Sequence, residues 1–416
     1  MAEEEARSFL QRLLEEFPSA LGPEEPLPLR PLSRGLVSLE ELPGESLELG
    51  LRLLQSWSAP AELSALLCQA AVARVLQSDL SPFHCPPETY STQDQEQEQD
   101  QVQLLQSEAV QRFFLNTLRE VGVDWQRTPP PPSKSSTSFV PLCSTHAIRN
   151  TRRKMEDKHV ALAHFTQLFN LDGVERRYYG VFDGHGGVDA ATFASTHLQV
   201  NLSHQLALHS DATAAFKHAF HRTDHMFRHK AKREWQYGRG GAGPGPNLTT
   251  AWLGDSQALL VSQGTVVPLM EPHKPEREDE RRRVEELGGC VTFMGCWRVN
   301  GTYAVSRAIV GSRTTCCWPV TASFDAVTPA EVPQLVLNAL GGGEGPGDPE
   351  TPLAAAGEGV AQKLVSHARE AGSNDNITVM VVFLRPPQHI LAQGGVATAT
   401  AQPAPDNSDP QDASEQ

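Results

Sequence analysis

The sequence predicts an α+β protein that carries a helical extension at its N-terminus. Apolar residues recur at helical spacing through residues 1–127. From about residue 139, short apolar runs of strand length alternate with longer amphipathic stretches. After residue 386 the apolar residues become sparse, so residues 387–416 are expected to be a disordered tail. One domain at 140–386 therefore follows the extension.

The composition excludes several classes of protein. The chain has 416 residues and a net charge of −15, which disfavours nucleic acid as a partner. It has seven cysteines and no CxxC pair, a pattern of reduced thiols in the cytosol or nucleus. The N-terminus is acidic and lacks an apolar leader, and no apolar run is long enough to span a membrane. A cytoplasmic protein, with the nucleus as an alternative location, is expected.

The extension is predicted to form helices, and two linkers interrupt the sequence around it. The predicted helices cover 2–17, 45–57, 61–78 and 102–121. A polar, acidic linker is expected at 91–101, and a stiff linker rich in Pro and Ser at 128–139. The apolar helix faces can pack on the rest of the chain or bind a protein partner, and packing within the chain is the default expectation.

The domain at 140–386 is predicted to mix strands and helices. Predicted strands include 159–163, 178–182, 257–261, 265–269 and 376–384, and predicted helices include 188–208 and 211–233. Asp211 is the expected N-cap of the second of these helices. A charged helix is predicted at 275–287, with Pro275 in its first turn and Gly288 at its end.

Asp183 and Gly184 are the first candidate metal ligands. The apolar segment Tyr178–Phe182 is predicted to be a strand that delivers Asp183 to its end. A hard divalent cation prefers carboxylate and carbonyl oxygens, which Asp183 and Gly184 can supply. From these residues alone a simple hairpin turn is an equally good interpretation, because Asp-Gly is also a turn signal.

Four further carboxylates lie beside predicted strands: Glu156, Asp157, Asp255 and Asp375. Together with Asp183 they can converge on a pair of metal ions, although Asp255 and Asp375 considered singly fit ordinary turns. Arg152 precedes the first pair and can bind a phosphate bidentately. The alternatives for Arg149–Lys154 are a charged strand edge or a basic localisation signal.

Six motifs occur in order between about residues 144 and 385. They are RRKMEDKHV, YYGVFDGHGG, AWLGDSQ, EPHKPE with RVEELGGCV, RVNGTYAVSRAI and SNDNITVMVV. In these motifs the chain resembles the metal-dependent Ser/Thr protein phosphatases, the type 2C phosphatases. The helical extension, RNTRRKMED and WRVNGT are most similar to the calmodulin-dependent protein kinase phosphatase subfamily.

The resemblance implies a fold and a set of metal ligands. The implied fold has two stacked mixed β-sheets flanked by helices, with Mn²⁺ or Mg²⁺ between the sheets. Asp183 would bridge two ions and Gly184 would give its carbonyl, while Asp375 would bind one ion directly. Glu156 and Asp157 would act largely through water. Asp255 and Asp325 would contribute to a weak third site.

The resemblance also implies the reaction. Arg152 would hold the phosphate of a phosphoserine or phosphothreonine substrate, and His185 would protonate the leaving oxygen. An imidazole, with an ordinary pKa of about 6.5, suits a general acid at cellular pH. No Cys-x5-Arg arrangement occurs, which argues against a covalent cysteine mechanism. The expected substrates are phosphoproteins, with protein kinases as the expected class.

Two segments depart from the family pattern, near 238–248 and 310–323. Residues 238–246, GRGGAGPGP, stand where the family has strands, and this composition cannot form one. The segment Arg313–Ser323 matches, residue by residue, a one-base-shifted translation of a family-like strand. A metal-ligand Asp of that strand becomes Thr321, a poor ligand, so weak or absent activity is expected. The leading hypothesis is an enzyme, and the alternative is a phosphatase-fold scaffold that binds phosphoproteins.

Overall fold

The computed structural model describes most of the chain. The described residues are 2–33, 35–85, 103–128, 140–184, 187–209, 211–234, 251–252, 255–262, 265–301, 304–307, 327–341, 353–387 and 389–390. The predicted linker at 91–101, residues 129–139 of the linker predicted at 128–139, the two altered segments near 238–248 and 310–323, and the tail beyond residue 390 lie outside them.

Four helices form the extension, close to their predicted positions. They are α1 (Ala2–Glu16), α2 (Leu42–Ser56), α3 (Ala61–Gln77) and α4 (Ser107–Arg127). The fourth helix was predicted to begin at residue 102, which is wrong. Leu104–Gln106 is instead a strand, β2, that pairs antiparallel with β1 (Leu36–Ser38). This pairing between distant residues, which local helical periodicity does not reveal, sets the start of α4.

The extension packs against the rest of the chain through one apolar core. Phe9, Leu67 and Phe114 are almost fully buried in that core, which also includes Leu168 and Val200 from beyond the extension. Of the two interpretations left open by the sequence, packing within the chain is the one that the structure shows. Burial of these side chains supplies the main stabilisation of the contact.

Polar contacts accompany the apolar core where the extension meets the helices at residues 189–208 and 212–234. Lys230 Nζ lies 2.7 Å from Ser33 Oγ and 3.4 Å from the buried carboxylate of Glu45. A β-carbon at Gly44 would lie 2.5 Å from Nδ1 of His197, so only glycine allows α2 this close. The extension is therefore fitted closely to its neighbour at this position.

Seven helices and eight strands follow in the described part of the chain. The helices are α5 (Phe165–Leu168), α6 (Asp189–Leu208), α7 (Ala212–Glu234), α8 (Glu278–Glu286), α9 (Val332–Gly341), α10 (Leu353–Glu358) and α11 (Val360–Glu370). The strands are β3 (Leu142–Ile148), β4 (Lys158–Leu162), β5 (Tyr178–Phe182), β6 (Leu259–Ser262), β7 (Thr265–Pro268), β8 (Val291–Phe293), β9 (Trp297–Val299) and β10 (Ile377–Phe383). The α+β class is confirmed.

The strands of the described residues form five antiparallel ladders of two strands each. Two ladders matter for the site: β3 with β10, and β4 with β5. Helices α9 and α11 cover the first ladder, and α6 and α7 cover the second. The resemblance implied larger mixed sheets, and the segments where the sequence departs from the family lie outside the described residues.

The predicted helix ends are partly confirmed. The Asp211 carboxylate accepts hydrogen bonds from the backbone N–H groups of Thr213 and Ala214, both at 3.1 Å, as expected of an N-cap. Gly288 follows α8 at a φ of +81°, also as expected. The predicted role of Pro275 is wrong, because α8 begins at Glu278 and Pro275 lies in the preceding turn.

The described cysteines, Cys68, Cys85, Cys143, Cys290 and Cys296, are free thiols. In the described part of the chain, no helix has the length and apolar character needed to cross a membrane.

Candidate metal centre

Strand register brings the predicted carboxylates to one end of two ladders. Lys158 pairs with Phe182, so Asp157 immediately before β4 lies opposite Asp183 immediately after β5. In the other ladder Ile148 pairs with Ile377, so the loop after β3 and the turn before β10 meet at the same end. That loop carries Arg152, and that turn carries Asp375.

Gly184 lies against the backbone of the loop between β3 and β4. A β-carbon at Gly184 would overlap the carbonyl oxygen of Glu156 and approach the side chain of Ala191 at 3.2 Å. Only glycine permits this approach. The Asp183–Gly184 pair predicted from the sequence therefore lies directly beside Glu156, another predicted metal-site residue.

The loop after β3 is held to the turn before β10 by hydrogen bonds. The amide of Asn150 donates to the carbonyl of Ser373, and the hydroxyl of Thr151 donates to the carbonyl of Asn374, both at 2.6 Å. The guanidinium of Arg152 then pairs with the carboxylate of Asp375. The two motifs are thus brought together although they are more than 200 residues apart in the sequence.

Asn376 organises this contact and was not identified as a site residue from the sequence. Its side-chain amide donates to the carbonyls of Arg149 (2.8 Å) and Lys154 (3.0 Å). Its side-chain oxygen accepts from the backbone N–H of Glu156 at 2.9 Å. Its only sequence signal is its position directly after Asp375, and nothing local in the sequence indicates three partners in a distant loop.

Two buried carboxylate oxygens at the centre of the site have no hydrogen-bond partner. They are Oδ1 of Asp183 and Oδ1 of Asp157. The other oxygen of Asp157 accepts a hydrogen bond from the hydroxyl of Thr378 at 2.6 Å. A buried carboxylate oxygen without a donor is costly, and a cation is the usual partner for such a group.

The electrostatics of the site show the same excess of negative charge. Burial, followed by the charges of Asp157, Asp255 and Asp375, raises the pKa of Asp183 to about 9. Burial is also the main reason that the pKa of Asp157 is raised. Without a bound cation, Asp183 is therefore mainly protonated at neutral pH.

The side chains around Asp183 meet part of what Mn²⁺ or Mg²⁺ requires. Among the described side chains, no three acidic, histidine or cysteine groups are grouped closely enough to hold a metal ion. The carboxylate of Asp375 is paired with Arg152. The donor set nevertheless fits a hard cation, because it consists of carboxylates, two with unpartnered buried oxygens.

Of the other predicted site residues, two lie near Asp183 and Gly184, and the rest lie outside the described residues. Asp255 is buried, with 3% of its surface exposed, and its charge acts on Asp183. Glu156 is partly buried beside Gly184. Residues His185, Asp325 and Thr321 lie outside the described residues, so the roles predicted for them remain predictions.

Comparison with known proteins decides the family. A profile described as Protein phosphatase 2C matches residues 142–312. Protein phosphatase 1F of Homo sapiens is 46% identical over 419 residues, covering 94% of this chain and 90% of the relative. The chain belongs to the protein phosphatase 2C family. Protein phosphatase 1E of Homo sapiens is 42% identical over 88% of this chain and 49% of its own length.

A solved structure supports the fold of this phosphatase. The structure titled "Structure of a C.elegans sex determining protein" aligns with a TM-score of 0.63 at 18% identity, covering 93% of this chain and 97% of that one. At that identity the match supports the fold alone. Family membership defines the enzyme class, a metal-dependent protein serine/threonine phosphatase that uses Mn²⁺ or Mg²⁺.

Proposed function

We propose that this protein phosphatase 2C member hydrolyses phosphoserine and phosphothreonine in proteins at the carboxylate centre around Asp183. One observation carries the proposal. The buried, unpartnered oxygen of Asp183 lies within the field of three further carboxylates and beside Arg152. A cluster of carboxylates with one adjacent guanidinium suits a phosphate bound together with cations.

Each side chain has a proposed part in the reaction. Asp183, Asp157 and Asp375, with the carbonyl of Gly184, would hold the metal ions. When bound, Mn²⁺ or Mg²⁺ supplies positive charge that offsets the phosphate and makes a water molecule nucleophilic near neutral pH. Arg152 binds two phosphate oxygens once Asp375 has released it.

Hydrolysis needs only water and the phosphoprotein as reactants. The oxygen of water bonds to phosphorus as the bond from phosphorus to the seryl or threonyl oxygen breaks. His185 is proposed to protonate that leaving oxygen, and the proton given up by the attacking water restores the protonated imidazole. The products are the free hydroxyl and inorganic phosphate.

The direct test is release of inorganic phosphate from a phosphothreonine peptide by the full chain in Mn²⁺. Asp183→Asn should abolish release, whereas the control Asp79→Asn, an exposed carboxylate in the extension, should leave it unchanged. Release that does not depend on metal, or that survives Asp183→Asn, would contradict the proposal.

The altered segment near 310–323 suggests a second test, in which the natural chain is compared with the variant Thr321→Asp. Because Thr321 replaces a carboxylate that the family resemblance predicts, the natural chain is expected to be slow. Thr321→Asp should increase turnover without reaching the rate of an unaltered family member, since the surrounding segment also departs from the family. If neither chain binds Mn²⁺ by calorimetry, the non-catalytic scaffold is the better interpretation.

We further propose that the substrates are regulatory protein kinases and that the extension helps to select them. The support is the resemblance of RNTRRKMED and WRVNGT to the kinase phosphatase subfamily, together with the packing of the extension on α5 and α6. A panel of phosphothreonine peptides, half of them kinase activation-loop sequences, tests substrate class. Equal kcat/KM for the kinase activation-loop peptides and the other peptides would contradict the proposed substrate class.

A further inference from the structure

Helix α7 carries a row of histidines that the phosphatase reaction does not use. Among them, His225 and His229 are four residues apart, so they project from the same face of the helix. Their Nε2 atoms lie 3.2 Å apart, and the ring centroids are 4.3 Å apart. The two nitrogens therefore face each other along one side of the helix.

This separation is the one that a single transition-metal ion would require. Two nitrogens bound at about 2.0–2.1 Å lie about 2.9 Å apart at a right angle and about 3.4 Å apart at the tetrahedral angle. The observed separation falls between these limits. His225 is exposed and His229 partly exposed, so an ion can reach them from solvent.

Two arginines lie near the pair, and each is paired with a carboxylate. Arg222 approaches Nδ1 of His225 at 3.5 Å and pairs with the carboxylate of Glu40. Arg228 pairs with Asp224 at 2.6 Å. Each neighbouring arginine therefore has a carboxylate of its own, which reduces its repulsion of an incoming cation.

The lowered pKa of His225 favours the form of its imidazole that a metal needs. Burial first, and then the nearby positive charges of His229 and Arg222, lower the pKa of His225. A neutral imidazole keeps a nitrogen lone pair for a metal, whereas a protonated one does not.

We propose that His225 and His229 form a binding site for a divalent transition metal such as Zn²⁺ or Ni²⁺, with water completing the coordination. Imidazole nitrogens suit these ions, whereas the carboxylates around Asp183 suit Mn²⁺ and Mg²⁺. The two centres therefore select different metals by the chemistry of their ligands.

The position of the pair gives the site a structural consequence. It lies on α7 between two contacts to the extension, Arg222 with Glu40 and Lys230 with Glu45. A metal that joins two turns of α7 stabilises the folded helix and not the unfolded chain, so it raises the melting temperature in proportion to its binding.

The test uses Ni²⁺ as the probe, with the full chain in saturating Mg²⁺ so that hard-cation sites are occupied. Isothermal titration should show a site with micromolar affinity. Each of His225→Gln and His229→Gln should weaken that affinity at least tenfold and remove the Ni²⁺-dependent rise in melting temperature. Circular dichroism without Ni²⁺ checks that both variants remain folded.

His218→Gln is the matched control on the same helix. The His218 ring stacks face to face on His209, with centroids 5.0 Å apart and an interplanar angle of 10°, so its nitrogens are not directed at the ring of His209. Unchanged Ni²⁺ binding in this variant supports the assignment. Affinities within twofold of one another for all four proteins would overturn it and leave an imidazole–imidazole hydrogen bond only.

Discussion

Gly184 and Glu156 are in backbone contact: the space where a β-carbon of Gly184 would lie is occupied by the carbonyl oxygen of Glu156. The contact joins the end of β5, which carries Asp183, to the loop that carries Arg152 and Asp157. The spacing of the carboxylates therefore depends on a residue without a side chain.

Gly184→Ala should separate these two segments. We expect a loss of about 1–3 kcal/mol in the free energy of unfolding, because backbone and not a flexible side chain opposes the new methyl group. Mn²⁺ affinity and phosphatase activity should each fall at least tenfold. Denaturant unfolding and calorimetry measure these effects.

Gly341→Ala is the control, since a β-carbon there meets no atom within 4 Å. If Gly184→Ala were as stable and as active as this control, the contact with Glu156 would not be needed for stability or activity.

Arg152→Ala should weaken substrate binding without weakening metal binding. The ion pair of Arg152 with Asp375 is partly exposed, with 41% and 23% of the side chains accessible, so its loss should change stability by less than about 1 kcal/mol. KM for a phosphopeptide should rise at least tenfold as the phosphate contact is lost. Mn²⁺ affinity should stay the same or increase, because Asp375 is released.

The neighbouring Arg153→Ala removes the same charge from an exposed position and should alter KM by less than threefold. Equal effects of the two substitutions would show that only general positive charge matters.

The raised pKa of Asp183 predicts a proton released on metal binding. In the folded, metal-free protein its pKa is about 9, against about 4 in an unfolded chain. Folding therefore takes up a proton across this interval, and metal-free stability should decline as pH rises from about 4 to 9. Mn²⁺ must displace the proton, so its affinity should rise by about tenfold per pH unit below pH 9.

Calorimetry in two buffers of different ionisation enthalpy counts the released protons. Near pH 7.5 the natural chain should release one more proton than Asp183→Asn. Asp183→Asn should also be the more stable protein at pH 8 without metal. Identical proton release by both would show that Asp183 is already ionised before metal binds.

Lys230→Met should weaken the docking of the extension. The carboxylates of Glu41 and Glu45 are 2% exposed, and Lys230 lies 3.6 and 3.4 Å from them. Without the ammonium these buried carboxylates lose the neighbouring cation and keep only their hydrogen bonds, such as those from Ser33 and Ser38, which should cost about 3 kcal/mol in the free energy of unfolding. Protease cleavage between the extension and the rest of the chain should accelerate.

The double variant Lys230→Met with Glu45→Gln should recover part of that loss, because one buried charge is removed. An additive effect of the two substitutions in a double-mutant cycle would contradict the pairing.

The sequence was sufficient where the signal is local. Tyr178–Phe182 was predicted to the residue, and Asp211 was predicted as an N-cap, because apolar alternation and capping depend on neighbouring residues. Strands β1 and β2 were not predicted, since three residues that pair across more than sixty positions leave no local pattern.

By itself, then, the sequence determined the family, the α+β class and the residue types of a metal-dependent phosphate site, since ordered motifs are chemical information carried along the chain. The tertiary structure decided which of those residues meet. Strand register set Asp157 opposite Asp183, and Asn376 tied two loops from distant parts of the chain. It also placed the extension against α6. These are distances between segments remote in sequence, fixed by packing and by hydrogen bonds that form only in the folded chain.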